Sequence, residues 1–268
     1  MHQLYIHPVD DDDQNIPFIL LYSYCFFRYD FFTRPSVKKL FLSKAFGLIV
    51  LCFSLNSVAT TLTTEERICP LGGQRFTVDV LMSFSTFGKR LDLKTDGTYG
   101  TNPFRLVVCP NGFVDYKENY SQAELNKLED LITSDNYQTL RLDNTDYFLL
   151  AKIREHMGAH KLSIGWTYLE ASWEAENKGN RTQYVQYLNL AIDNFNAAVD
   201  TGDTEVGFTY RFLLVELNRL KEDFDSAKLK LKELEANLRL DEYGKVLVAF
   251  EKELIDSQNS KPKKLPKG

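Results

Sequence analysis

From residue 121 to residue 256 the chain repeats apolar residues at helical spacing and interrupts them only with very short breaks, which leaves few ways to fold. Ser121-Gln-Ala-Glu124 has the form of a capping box, and Leu125, Leu128, Leu131 and Ile132 continue at helical spacing. Residues 146–158 read as a short helix with Phe148, Leu149, Ile153 and Met157 on one side. Two longer helices, 160–178 and 181–200, are separated by Gly179-Asn180. Beyond Gly202-Asp203 a second pair, 205–221 and 224–238, repeats the arrangement. A final helix, 242–255, follows Asp241 as its N-cap. Antiparallel helices joined by such short turns stack as hairpins. Residues 121–256 are therefore expected to form a helical-hairpin domain.

The tetratricopeptide signature places apolar or aromatic residues at set positions of a helix pair. Trp166-x-x-Leu169-x-x-x-Trp173 matches its first part, and Leu214, Phe224, Ala227 and Leu231 match the later part. Ala227 would be the small residue that permits close helix approach. The first pair is longer than the roughly 34 residues of that repeat. The second lacks the leading Trp and carries Val215 at the small position. Tetratricopeptide-like hairpins are the expectation, an unrelated helical bundle the alternative.

Residues 37–59, VKKLFLSKAFGLIVLCFSLNSVA, have the three parts of a secretory signal. Lys38, Lys39 and Lys44 supply the positive region, residues 45–53 the apolar core, and Ser57-Val58-Ala59 the small-residue cleavage site. A membrane span would want about 20 apolar residues, so cleavage near Ala59 is expected and a retained anchor is the alternative. The preceding 36 residues mix the acidic run Asp10–Asp13 with an aromatic patch and show no sustained period. They are expected to be an upstream translation artefact, with Val37 as the start. The acidic run lacks the spacing and glycine of a calcium loop. Removing residues 1–59 takes away five basic and five acidic residues and leaves the net charge at -5. That balance argues against a nucleic-acid partner, which would want a basic face.

Beyond the signal only Cys69 and Cys109 remain, each in the same phrase: Cys69-Pro70-Leu71-Gly72 and Cys109-Pro110-Asn111-Gly112. A zinc ribbon uses two Cys-x-x-Cys knuckles because four thiolates complete a tetrahedral site. Here Gly72 and Gly112 stand where the second cysteines would be, and no histidine lies nearby. The expectation for residues 60–120 is a ribbon-like β-rich head without metal, its knuckles facing each other. In an oxidising compartment Cys69 and Cys109 would then form a disulfide, the alternatives being two buried free thiols or a metal site. Residues 76–82 and 105–108 read as strands, 84–93 as less regular and 94–103 as a loop. Tyr99, Phe104, Phe113 and Tyr116 supply aromatic bulk for a small core. The fold class is thus α+β, a small β-rich ribbon-like head followed by antiparallel helical hairpins. Residues 257–268, with four lysines and two prolines, are expected to be a disordered basic tail.

The order of CPxG at 69–72, GxxLD at 88–92, CPNGFVxYK at 109–117 and YLEASWEAENKGN at 168–180 resembles uncharacterised bacterial proteins with a zinc-ribbon-like head and a tetratricopeptide-like tail. The resemblance covers roughly residues 65–240. It implies that relatives carry paired knuckle cysteines, so this chain looks like an exported branch that departs at Gly72 and Gly112. That departure removes any zinc site the resemblance would carry over, and the resemblance brings no activity with it.

No nucleophile elbow, phosphate-binding glycine loop or dinucleotide fingerprint is present. His156 and His160 are four apart, but Met157-Gly158-Ala159 between them holds no Glu, and Gly158 is expected to end the helix. No catalytic residue, metal ligand or cofactor is therefore assigned. The candidate binding residues are Trp166, Glu170 and Trp173 on the first helix of one pair and Tyr210 on the first helix of the next. Stacked pairs make a concave surface suited to binding. The expected function is an exported envelope module, periplasmic or secreted, for a protein or peptide partner. Membrane contact would come only through the signal segment before cleavage. The alternative is a hydrolase or transferase acting on cell-envelope polymers through unidentified carboxylates; Glu170, Glu174 and Glu176, beside Trp166 and Trp173, read as solvated helix-surface groups. Two converging carboxylates with perturbed acidity in a cleft would favour that alternative.

Overall fold

The computed structural model describes residues 61–98, 102–201 and 207–266. The stretch 1–36, the segment 37–59 read as a secretory signal, Tyr99 and the break at Gly202-Asp203 lie outside the described residues. The architecture is α+β: among the described residues, small antiparallel β-hairpins precede eight helices packed as antiparallel pairs.

β1 (Thr61–Ile68) and β2 (Arg75–Ser83) form a hairpin around the first knuckle, where the Cys69 amide donates to the Gln74 carbonyl at 2.8 Å. β5 (Val107–Val108) and β6 (Val114–Asp115) do the same around the second, the Cys109 amide donating to the Phe113 carbonyl at 2.8 Å. Gly72 and Gly112 hold φ +92° and +90°, a region that β-carbon-bearing residues avoid. Glycine is thus what both turns require at the two positions compared with the second cysteines of zinc knuckles. Asn111 ties the two together, donating to the Leu71 carbonyl at 2.9 Å and accepting from the Phe113 amide at 3.0 Å. Cys69 and Cys109 are joined by a disulfide, with Cα atoms 5.7 Å apart.

Between the knuckles, β3 (Thr86–Lys89) and β4 (Thr95–Gly97) make a third hairpin. The sequence marks β2 and β5 correctly. It hides β1, whose Thr and Glu side chains are largely exposed, and the short pair β3–β4, which fall in stretches read as irregular and as loop.

The helices follow their caps. α1 (Gln122–Ile132) starts at the Ser121–Glu124 capping box. α2 (Asp135–Asp143), which the sequence reading passes over, is capped by the Ser134 hydroxyl accepting from the Tyr137 amide. α3 (Asp146–Met157) is capped by Thr145 and ends at Gly158, φ +74°. Between α4 (Lys161–Asn177) and α5 (Arg181–Asp200), Gly165 makes room for the Phe195 ring; a β-carbon built there would lie 2.7 Å from it. α6 (Phe208–Leu220), α7 (Phe224–Asn237) and α8 (Glu242–Asp256) complete the order, with Ala227 fully buried in their common core.

Two clusters form the interior. The larger joins Cys69, Leu71, Cys109, Phe113 and Val114 of the knuckles to apolar residues of α1 through α6. Head and helices therefore share one core, and the boundary drawn at residue 120 marks a change of secondary structure only. The smaller cluster comprises residues of α6, α7 and α8 with one guest from the β region, Leu91, which is fully buried.

The reading of 257–268 as a disordered tail is corrected across 257–266. The Leu91 amide donates to the Lys263 carbonyl at 2.9 Å and the Leu265 amide to the Lys89 carbonyl at 2.9 Å, so this segment lies antiparallel beside residues 89–91, where β3 ends. Leu265 packs on the smaller core and Lys264 pairs with Asp96 at 2.8 Å. Lysine and proline content signals disorder only where nothing accepts the backbone, and here β3 offers an open edge.

Candidate functional site

Residues 90–94 form the tip of the β3–β4 hairpin, and they hold it between the helix pairs. Leu93 adopts φ +67°, a left-handed kink that a leucine enters only at a cost of about 1–2 kcal/mol. The kink turns alternate leucines two ways: Leu91 enters the smaller core, while Leu93 packs on the larger. Around them, Arg90 grips buried Asp92 through two hydrogen bonds and reaches Glu176 of α4 at 2.8 Å. Lys94 donates to Glu176 at 2.8 Å and to the Asn177 side chain at 2.7 Å. The Trp173 indole N–H donates to Asp92 at 3.0 Å. Burial pushes the Lys94 ammonium below its ordinary value, against the pull of Glu176. Burial alone would raise Glu176, but Arg90 and Lys94 together hold it below the usual carboxylate range. The GxxLD phrase and the SWEAEN phrase thus meet as a joint.

Beside this joint lies a cleft of about 1170 Å³. Thr77, Val78 and Asp79 of β2 form one wall, Thr95, Asp96 and Gly97 of β4 another, and the segment 103–108 that leads into β5 a third. The floor is the N-terminal end of α3, with Asp146 and Tyr147, and the C-terminal end of α4, with Glu174 and Glu176. Among the described residues β2, β4 and β5 each pair on one side only, with β1, β3 and β6 respectively. The cleft is therefore walled by strands that each keep an unpaired edge.

Most charges in the cleft already have partners. Asp79 faces Arg105 at 3.4 Å, Asp96 faces Lys264, and Glu176 takes Arg90 and Lys94. Glu174 accepts from the Tyr147 amide at 3.2 Å and from Lys178 at 3.1 Å. Asp146 differs. It makes no ion pair among the described residues, and burial, with the nearby charge of Glu174, pushes its carboxyl above the usual range.

The four sequence candidates lie elsewhere, and none lines the cleft. The structure brings three of them together on α4. Trp166 and Trp173 meet edge to face, with centroids 6.0 Å apart, and Glu170 lies between them along the helix. Trp173 is buried and serves the joint. Glu170 is half-buried, and burial pushes its carboxyl up to about 7 against the charge of Arg154 and a hydrogen bond from Trp166. Tyr210, half-buried on α6, has its ring 5.5 Å from that of Phe195. His156 bonds the Lys127 carbonyl at 3.0 Å, and His160 begins α4 beyond the Gly158 break, so the two share no helix.

Asp146 was read only as a helix start, and the strand edges have no side-chain signature in sequence. Among the described residues no group of three His, Cys, Asp or Glu side chains could hold a metal ion, and no helix is long and apolar enough to cross a membrane. No family model matches the chain, and no curated protein or solved structure is significantly similar to it. The likeness to ribbon-headed bacterial proteins rests on its motifs alone.

Proposed function

We propose that this protein is an interaction module of the bacterial cell envelope that takes an extended polypeptide segment into the cleft between its β-hairpins and the α3–α4 floor. The observation that carries this is the set of one-sided strands, β2, β4 and β5, around a cleft of about 1170 Å³. An unpaired edge is a row of backbone donors and acceptors ready for another strand, and adding a strand is a common way to bind peptides. The chain makes a short contact of this kind itself, since residues 263–265 pair antiparallel with residues 89–91, at the end of β3, by backbone hydrogen bonds. Export is part of the same proposal. It rests on the signal-like segment 37–59 and on the Cys69–Cys109 disulfide, which persists in oxidising compartments.

The test is selection of a phage-displayed library of random ten-residue peptides against the folded protein, followed by amide hydrogen exchange on the complex. Enriched peptides should slow exchange in Thr77–Asp79 and Thr95–Gly97. Failure to enrich any peptide, or protection confined to other elements, would overturn the proposal.

A second reading, a hydrolase acting on envelope polymers, is favoured by one observation: Asp146 and Glu174 line the same cleft, and the acidity of Asp146 is perturbed. Release of soluble fragments from purified peptidoglycan sacculi, abolished by Asp146→Asn, would support it. Release by neither protein would remove it.

A further inference from the structure

The segment after α8 is held by contacts that make no demand on which copy of the chain supplies it. Residues 263–265 pair antiparallel with residues 89–91, Leu265 packs on the smaller core, and Lys264 pairs with Asp96 at 2.8 Å. The Pro266 carbonyl accepts from the Tyr243 hydroxyl at 3.3 Å, and the fully buried Arg219 donates to the Lys261 carbonyl at 3.1 Å. Together these groups form a site shaped to residues 261–266.

What returns the segment to its own chain is the reversal at the end of α8, and that reversal is strained. Gln258 holds φ +50°, in the left-handed region where a helix end ordinarily uses glycine. Its amide donates to the Ile255 carbonyl at 3.0 Å, and the Asn259 amide donates to the Leu254 carbonyl at 2.8 Å. If α8 continued through these residues, the same two amides would meet the same two carbonyls in exchanged pairs, Gln258 with Leu254 and Asn259 with Ile255. No left-handed residue would then be needed. Pro262 would stop the continuation, because the residue before a proline is driven to extended backbone. The segment would leave straight from the helix end instead of folding back. This conformation gives up the Arg219 bond to the Asn259 carbonyl. The contacts from Lys261 onward are regained when the segment enters the same site on a second molecule.

We infer that the site formed by residues 89–91, Asp96, Arg219 and Tyr243 is also an interface between two copies of this chain, which exchange residues 261–266 through extended α8 helices. A short hinge under strain beside a docked terminal segment is the setting in which such an exchange is least costly.

The experiment unfolds the purified protein in urea with its Cys69–Cys109 disulfide intact, refolds it at low and at high concentration, and measures mass by size-exclusion chromatography with light scattering. Refolding at high concentration should yield a dimer. Gln258→Gly relaxes the reversal in the monomer and should lower the dimer-to-monomer ratio by about tenfold or more, since both hinges of a dimer lose the same driving force. Leu265→Asp removes the apolar anchor of the segment and should abolish the dimer. Circular dichroism verifies that both variants fold. A wild type that stays monomeric at every concentration would overturn the inference. So would a dimer that Gln258→Gly fails to reduce or that survives Leu265→Asp, because it would use another surface.

Discussion

Glu170 lies on α4 beside Trp166, and burial raises its carboxyl from 4.5 to about 7. A carboxyl whose folded value exceeds its unfolded value favours folding while protonated; that contribution is complete below 4.5 and is lost as pH rises to about 7. Full ionisation therefore opposes the fold by about 3 kcal/mol. Glu170→Gln should be close to wild type in stability at about pH 4.5 and more stable by about 2–3 kcal/mol at about pH 8. Urea unfolding at the two pH values checks it, and a gap that fails to open would show that the carboxyl is well hydrated. Arg219 raises a different question, because it is fully buried and pairs with both Glu216 and Glu251. Burial, then the charge of Glu251, pushes Glu216 well above the usual carboxylate range, against the pull of Arg219. The same guanidinium also donates to the carbonyls of Asn259 and Lys261. Arg219→Leu should lower unfolding free energy by about 3–5 kcal/mol, as breaking a buried pair does. It should also expose the lysines of 261–264 to trypsin before the rest of the chain. None of this is legible beforehand, since Glu216, Arg219 and Glu251 look in sequence like ordinary charges on helix surfaces.

Among the elements, the β3–β4 hairpin joins the two cores although it has only six paired residues. Leu91→Ala removes a fully buried side chain from the α6–α8 cluster and should destabilise the protein by about 3 kcal/mol. The loss should appear as faster amide exchange in α6 through α8, with α4 and α5 changed less. Several helices are readable because their start or stop is announced chemically, by Ser121 with Glu124, Gly158, Asn180 and Asp241, whereas α2 is passed over although Ser134 caps it. The hairpin was not readable, because its tip is polar on the page and becomes buried only against helices some 80 residues away, as the Trp173–Asp92 bond shows. The cleft escaped for a related reason: its walls are backbone edges, which any sequence can supply. The α4 stripe of Trp166, Glu170 and Trp173 drew notice for its aromatic content, and Trp173 proves to be an internal anchor.

For the whole molecule, the Cys69–Cys109 disulfide closes a loop of 40 residues that contains both hairpin turns preceding the second knuckle and the plug at Leu91. Such a loop contributes about 4 kcal/mol through the unfolded chain, less any native strain. The double variant Cys69→Ser/Cys109→Ser should lose roughly 2–4 kcal/mol in urea while keeping the helical circular dichroism, whose core is supplied by α3 through α8. A thiol titration of the denatured wild type should find neither cysteine of this pair reactive until reductant is added. The α+β class and this pairing were both open to sequence reasoning, since the repeated Cys-Pro-x-Gly phrase fixes two turns and their facing thiols at once. The course of the segment after α8 was not. Its backbone bonds to Leu91 and Lys89 have a consequence in time, because a ribosome makes Leu91 long before Lys263. At about 5–20 residues per second that interval is roughly 10–35 s, during which the outer edge of β3 stays open and the plug has no lid. The edge at residues 89–91 can therefore close, and the Leu91 plug be covered, only after the chain has been made through residue 265.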